Sequence, residues 1–360
     1  MPKQEIRKVA IIGSGKLGTD IFYYLSDFDL ELLLICINEE EAEKQNAVLQ
    51  KKLGRQYKSG IIDETRLKQL QGSIVIDHNF SKLAGCDLII ECIWENKMQK
   101  QKLFASIAPF VNDNCILASN SSSISPSLLN PSVEFKSRFI GLHYFYPLKF
   151  KNIVEIIKTE NTSQEVLDSI ATFCRKTGKT YLIQDEFNSF ILNKLFLEVQ
   201  NEAYNIYSEG VLSYRQIDKI VDNNLFPGGI FNFFDQVGND IMLEAIKNYI
   251  PKAERELYSA LIAKLEELCS KNLLGIKTNA GFYDYQDFNT AETMLNAETP
   301  DNDYMHEVTQ RLMNVYITKA QCIVDGGICD KELLEFAAKE YMNADKGPFS
   351  LFTEYSLNKI

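Results

Sequence analysis

The chain has 360 residues, 45% hydrophobic and 24% charged, enough apolar material for two or three units with buried cores. Its formal net charge of -11 argues against a broad nucleic-acid or anionic-membrane surface, because an acidic body repels both. Three histidines leave no basis for a histidine-rich metal site, and eight cysteines scattered without a CxxC pair are expected as reduced core residues, with no metal bound.

No apolar run reaches the roughly 18 residues of a membrane span, and Met1-Pro2-Lys3-Gln4-Glu5 leads into a strand pattern without a signal-peptide core, so a cytoplasmic protein is expected. Lys8 to Ile12 is the first strand. Gly13-Ser14-Gly15-Lys16-Leu17-Gly18 follows at once and opens an amphipathic helix through Leu25, and the apolar run from Leu30 to Ile37 completes a βαβ unit. In that setting the glycines have physical tasks: a tight turn, a close approach of backbone to pyrophosphate, and close packing of helix on strand. The helix N-terminus offers free N–H groups and a favourable dipole to the phosphates. Residues 13–18, Lys16 and Leu17 included, are therefore the expected NAD site of a Rossmann unit.

Residues 39–72 are charged, with helical spacing at Ala47, Leu49, Leu53 and Tyr57, and predict a helical excursion. Further strands are expected at Ser73–Ile76, Leu88–Glu91, Ile116–Ala118 and Thr180–Ile183. Phe139–Phe145 and Ile153–Lys158 flank Tyr146-Pro147-Leu148-Lys149 and should pair antiparallel across it. Beyond residue 185 the pattern turns helical, beginning with Phe190 to Tyr207, where Ile191, Leu195, Val199 and Ala203 share a face. A repeat follows. Asn193-Lys194-Leu195, Glu202-Ala203, Glu209-Gly210 and Gly229-Ile230-Phe231 recur at nearly constant offset as Gln310-Arg311-Leu312, Lys319-Ala320, Gly326-Gly327 and Gly347-Pro348-Phe349. The expected architecture is an α/β Rossmann domain over residues 1–185, an all-α domain over 186–286, and a second, partial copy of the helical unit over 305–360, joined by a linker at 286–304.

Oxidation of an alcohol by a nicotinamide requires a base for the hydroxyl proton, and neutral histidine suits that task near pH 7. His143 ends a strand at the edge of the sheet where such cofactors bind. Glu155, on the strand expected beside it, is placed to accept a hydrogen bond from the imidazole and fix its tautomer.

The chain resembles the L-3-hydroxyacyl-CoA dehydrogenases. The resemblance is carried by the glycine turn at 13–18, Asp87-Leu88-Ile89-Ile90-Glu91 through Glu95-Asn96, Ala118 through Ser123, Arg138 through Pro147, Val154-Glu155, Asn193, Gly275-Ile276-Lys277 and Gly281 through Tyr285. It implies that His143 is the catalytic base and Glu155 its partner, and that Ser122 and Asn193 hold the substrate's hydroxyl and carbonyl region. It also implies cofactor contacts for Glu95, Lys100, Ser122 and Lys277. Lys51, Lys52, Arg55 and Lys58 cluster where the family contacts the CoA nucleotide, and a solvated helix face accounts for them equally well.

Three departures from that pattern stand out. Cys36 occupies the end of the second strand, where a carboxylate for the adenosine ribose is expected, and Asn38 is the polar group left for that role. No lysine or arginine nearby would pair with a 2′-phosphate and Glu39-Glu40-Glu41 would repel one, which favours NAD over NADP. Tyr146 replaces an asparagine near the nicotinamide or substrate, and the turns at Asp185–Phe190 and Pro227–Phe231 lack the family's usual proline and glycine. The expected activity is NAD-dependent interconversion of a 3-hydroxyacyl and a 3-ketoacyl thioester, carried on CoA or on a carrier protein. A dehydrogenase of a free hydroxy acid and a catalytically silent NAD-binding protein are the competing readings. Phe231, Phe233, Phe234 and Val237 suggest a homodimer face, unless the second copy covers it within one chain.

Overall fold

The computed structural model describes residues 5–129, 133–186, 190–285 and 302–357. The chain divides into two compact units, Met1–Ser189 and Phe190–Ile360.

The first unit contains β1 (Lys8–Ile12), α1 (Lys16–Leu25), β2 (Glu31–Ile35), α2 (Glu39–Lys58), α3 (Glu64–Ser73), β3 (Ile74–Asp77), β4 (Leu88–Glu91), α4 (Lys97–Ile107) and β5 (Ile116–Ser119). After the short α5 (Pro126–Leu129) come β6 (Phe139–Tyr144), β7 (Ile153–Lys158), α6 (Gln164–Lys176) and β8 (Thr180–Asp185). The strands form one sheet in the order β3-β2-β1-β4-β5-β6-β7-β8. β1 to β6 run parallel; β7 pairs antiparallel with β6 and parallel with β8. The strand order reverses between β1 and β4, which opens a crevice at the carboxyl ends of the strands.

Both faces of the sheet are covered, so the central strands are apolar on both sides. Val9 and Ile11 of β1 join a core with Ile21, Phe22 and Leu25 of α1 and Ile170 and Phe173 of α6. Ala10 and Ile12, one residue out of phase, join the opposite core with Phe104 and Ile107 of α4 and Phe139 of β6. The strands agree with the expected ones to within one or two residues. β2 is shorter than expected and stops at Ile35, leaving Cys36 beyond it, and β8 continues through Asp185.

The second unit contains α7 (Ile191–Ser208), α8 (Tyr214–Asn224), α9 (Phe231–Val237), α10 (Asn239–Tyr249) and α11 (Ser259–Ser270). These are followed by α12 (Asn302–Asp325), α13 (Lys331–Met342) and α14 (Pro348–Leu357). The linker expected at 286–304 lies outside the described residues, except that α12 has already begun at Asn302.

One device recurs in the two helical segments. Asp218 of α8 accepts the N–H groups of Ile230, Phe231 and Asn232 at 2.6, 2.8 and 2.8 Å, fixing the start of α9. Glu335 of α13 accepts those of Gly347, Phe349 and Ser350 at 3.0, 2.9 and 3.2 Å, fixing the start of α14. Satisfying the free donors of a helix start in this way is the task an N-cap side chain performs locally. Each carboxylate leaves no room for a side chain on the turn it grips. A Cβ on Gly229 would lie 2.5 Å from Asp218 Cγ, and one on Gly347 2.6 Å from Glu335 Cδ.

The aromatic face of α9 is buried in part within its own chain, with Phe233 and Val237 only half-buried. Phe231 and Phe234 are fully buried, each such ring contributing about 1.5–3 kcal/mol. Phe196 takes Phe233 and Tyr341 edge-on, and Phe226 takes Tyr316 in the same way. Of the cysteines, Cys36, Cys86, Cys115 and Cys174 are buried as expected, but Cys322 is exposed on α12. Among the described residues no group of three or more histidine, cysteine, aspartate or glutamate side chains is placed to hold a metal, and no helix is long and apolar enough to cross a membrane.

Candidate active site

The glycine turn sits at the β1 end of the crevice. Gly13 has a φ of +118° and donates its N–H to Ile35 O at 2.9 Å, and a Cβ there would lie 2.6 Å from Cys92 O. A Cβ on Gly18 would lie 2.0 Å from Gly13 O, so α1 could not seat against the turn with any other residue. Gly15 is different, since a Cβ there would meet nothing within 4 Å. No side chain caps α1, whose first N–H groups are left for a ligand. An open approach to Gly15, bare helix donors and a closed backbone behind them fit the pyrophosphate of a dinucleotide. Lys16 is exposed and its Nζ lies 4.1 Å from the centre of the Tyr146 ring, while Leu17 packs on the core.

At the carboxyl end of β4, a chain of charges runs inward. Glu91, fully buried, accepts Lys100 Nζ at 2.6 Å and Ile93 N at 2.7 Å on one oxygen, and Ser119 Oγ at 2.6 Å on the other. Lys100 also reaches Glu95 Oε2 at 3.2 Å. The other Glu95 oxygen accepts Ser121 Oγ, Ser122 N, Ser123 N and Ser123 Oγ at 2.5–3.1 Å. Burial works to neutralise the Lys100 ammonium, but the carboxylates of Glu91 and Glu95 outweigh it and hold the group above the usual lysine range. Burial likewise works to raise Glu95, and Lys100 and the serine hydroxyls bring it below the carboxylate range. Lys100 is thus a buried tether for Glu95 and the 121–123 loop. Without the family pattern the sequence suggests a surface lysine there, and its burial overturns that reading.

His143 and Glu155 occupy directly paired positions on the antiparallel strands β6 and β7. His143 Nδ1 is 2.7 Å from Glu155 Oε2, and Gln184 Nε2 of β8 donates to Glu155 Oε1 at 2.8 Å. Both members of the pair are buried, and the Phe145 ring centre lies 4.4 Å from that of His143. Asn120, at the end of β5, accepts Tyr144 N at 2.8 Å and donates its own N–H to Glu91 O at 2.9 Å. The serine loop and the histidine strand are therefore tied at neighbouring points. An imidazole that donates a hydrogen bond from Nδ1–H to a buried carboxylate presents Nε2 as a base.

The remaining expected residues are placed as follows. Asn38 is the N-cap of α2, its Oδ1 accepting Glu41 N at 2.9 Å. Lys58 is exposed in the last turn of α2. Asn193, in the helical unit, donates from Nδ2 to Tyr249 OH at 2.6 Å, and Lys277 in the same unit forms an ion pair with Asp240. Within the first unit the structure brings Glu95, Lys100 and Ser122 into one network and His143 and Glu155 into another; Lys58 joins neither. Sequence reasoning missed Glu91, Asn120 and Gln184 as parts of these networks. Gln184 carried a signal, a polar residue in phase with buried Leu182 on β8.

Two sequence profiles match the chain in order. The NAD binding domain of 3-hydroxyacyl-CoA dehydrogenase matches residues 8–186, and the C-terminal domain of the same enzyme matches residues 190–285. The chain belongs to the 3-hydroxyacyl-CoA dehydrogenase family. It is an NAD-dependent oxidoreductase of the 3-hydroxyacyl-CoA class. The 3-hydroxybutyryl-CoA dehydrogenase of Bradyrhizobium diazoefficiens is 28% identical over 282 residues, covering 78% of this chain and 96% of that protein. The fatty acid oxidation complex subunit alpha of Psychrobacter cryohalolentis is 25% identical over 336 residues, 92% of this chain but 45% of that larger protein. Among solved structures, the 3-hydroxybutyryl-CoA dehydrogenase of Escherichia coli K12 shares the fold with a TM-score of 0.81 at 18% identity, covering 98% of this chain and 92% of that one. The (S)-3-hydroxybutyryl-CoA dehydrogenase of Ralstonia eutropha gives 0.71 at 27% identity, covering 79% of this chain and all of the family member.

Proposed function

We propose that His143 is the base of this dehydrogenase, with Glu155 as its positioning partner, and that the substrate is a short 3-hydroxyacyl group carried on CoA. The observation that carries this reading is the 2.7 Å bond between His143 Nδ1 and a fully buried Glu155. Glu155 fixes the tautomer, so that Nε2 takes the hydroxyl proton, and its charge stabilises the imidazolium formed. Gln184 holds the second carboxylate oxygen and keeps Glu155 from rotating away. NAD, when bound, supplies the hydride acceptor at its nicotinamide. The residues that would hold it are Gly13, Gly15, Lys16, Leu17 and Gly18 at the pyrophosphate, and Glu95 with Lys100 and Ser122 toward the nicotinamide. Ser122 orients an oxygen of the acyl group without adding a competing charge. Lys58 is the substrate's contact on α2.

We further read residues 305–360 as a second copy of the helical unit, supported by the shared use of Asp218 and Glu335 and the matching glycines beside them. Tyr341 of that copy packs edge-on against Phe196 and Tyr316 against Phe226, and Phe231 and Phe234 of α9 are buried within one chain, so the reading does not include a homodimer through them.

The test is oxidation of NADH with acetoacetyl-CoA. His143→Gln is expected to lower turnover by about 10³-fold while NADH binds as before. A variant that turns over normally would remove His143 from the mechanism, and a wild-type protein that binds NADH without oxidising it would identify a silent member of the family.

A further inference from the structure

The pyrophosphate of a dinucleotide is an anion, and this chain, with a net charge of -11, offers it no general attraction. The bare N–H groups at the start of α1 supply partial charges only. Lys16 adds a full cation at the turn. It is the first residue of α1 and follows Gly15, where the backbone is open to a ligand. Its four-carbon stem would ordinarily trail in solvent, or pair along the helix with Asp20, four residues on. It does neither. The ammonium lies 4.1 Å from the centre of the Tyr146 ring, and Asp20 Oδ2 accepts Leu148 N at 2.8 Å.

The connection that carries the ring is itself held. Tyr146 lies two residues beyond the end of β6, on the way to β7. Asp20 takes the Leu148 N–H, while Lys179, buried, donates to Leu148 O at 2.5 Å and Lys151 O at 2.7 Å. Lys179 Nζ stands 4.0 Å from the centre of the Tyr24 ring, whose hydroxyl donates to Thr177 O at 2.5 Å. Lys16, Asp20 and Tyr24 follow one another every four residues, so one stripe of α1 faces this connection along its length. A buried ammonium bonded to two carbonyls is costly to displace, and it gives Tyr146 a fixed base. The Lys16 ammonium is thereby turned from the glycine turn toward the end of the strand that carries His143.

We propose that Lys16 is the cation that meets the pyrophosphate of NAD, and that Tyr146 is the positioning residue that holds its ammonium at the crevice. The tyrosine that stands in place of an asparagine then serves the phosphates through Lys16. The inference rests on the NAD reading of the glycine turn.

Calorimetric titration of the full chain with NADH and with ADP-ribose, which has the pyrophosphate but no nicotinamide, tests it without any turnover. Lys16→Met is expected to weaken both by about tenfold and to flatten their dependence on salt, because one screened charge pair is gone. Tyr146→Leu should weaken both by about threefold, and Tyr146→Phe, which keeps the ring, should restore the affinity. Adding Tyr146→Leu to Lys16→Met should bring no further loss, since the ring acts through the lysine. Lys149→Met, which removes an exposed lysine of the same connection, should bind both ligands as the wild type does. Unchanged ADP-ribose affinity in Lys16→Met would overturn the assignment, as would an equal loss in Lys149→Met or a full further loss in the double variant. A loss in Tyr146→Leu confined to NADH would overturn it too, by placing the ring at the nicotinamide. A wild-type chain that binds neither ligand would instead overturn the reading beneath it. Lys16 and Tyr146 are both exposed, so their replacement leaves the two cores of the sheet intact.

Discussion

In the sheet unit, Glu91, Lys100, His143 and Glu155 are buried and each finds another side chain as its main partner. In the helical unit, Asp218 and Asp235 are buried just as deeply and answer mainly to backbone N–H groups. Asp235 accepts those of Phe282 and Tyr283 at 2.9 and 2.8 Å. A carboxylate held mainly by backbone donors organises the chain around it. One held by a lysine or an imidazole leaves its partner charged or basic in a site that water does not level. The contrast separates buried charge that builds from buried charge that can act.

The largest effect is expected from Lys100→Met. It leaves Glu91 buried without its cation, and urea unfolding should show a loss of about 3–5 kcal/mol. Adding Glu91→Gln should return much of that stability, because an uncharged amide can stay beside Ser119. If Lys100→Met alone is as stable as the wild type, the network is not a load on the fold.

Glu155→Gln comes next. The amide can present its N–H to Nδ1 and favour the wrong tautomer, so turnover with acetoacetyl-CoA should fall about a hundredfold with little change in stability. A stability loss with unchanged turnover would move Glu155 to the building class.

The smallest effect concerns Asp218. Burial pushes its carboxyl up to about 6, more than its backbone donors and Tyr283 bring it down. The folded chain then holds this proton more tightly than the unfolded chain, where the ordinary value is 3.8. The group's contribution to stability is present below pH 4 and is lost as pH rises through 6. Between pH 5 and pH 7 it should lower the unfolding free energy by about 1 kcal/mol, and Asp218→Asn should flatten that part of the profile. An unchanged slope in the variant would show that the backbone donors already hold the ionised form at no cost.

Much of the fold was legible in residues. The step from apolar runs with a period of two to helical spacing marks the change of unit near residue 185, and the antiparallel pairing that joins His143 to Glu155 followed from two strands around a short connection. Lys100 was harder. On α4 it stands among Lys97 and Lys102, and only its phase with Leu103, Phe104 and Ile107, three, four and seven residues on, marks it as inward-facing. Asn38 has a second task that its place allowed: an asparagine just before Glu39-Glu40-Glu41 is as good a helix cap as a ligand, and its Oδ1 caps α2.

The antiparallel pairing of β6 with β7 has one more result. β7 is apolar on both faces, with Ile153, Val154, Ile156 and Ile157 all fully buried, so hydrophobic alternation gives it no preferred alignment with its neighbour. A slip of one place would set Val154 or Ile156 opposite His143 and strand a buried carboxylate. The alignment is thus spelled by one polar letter on each strand, and a descendant that gave up the chemistry could not discard those letters without blurring its own sheet.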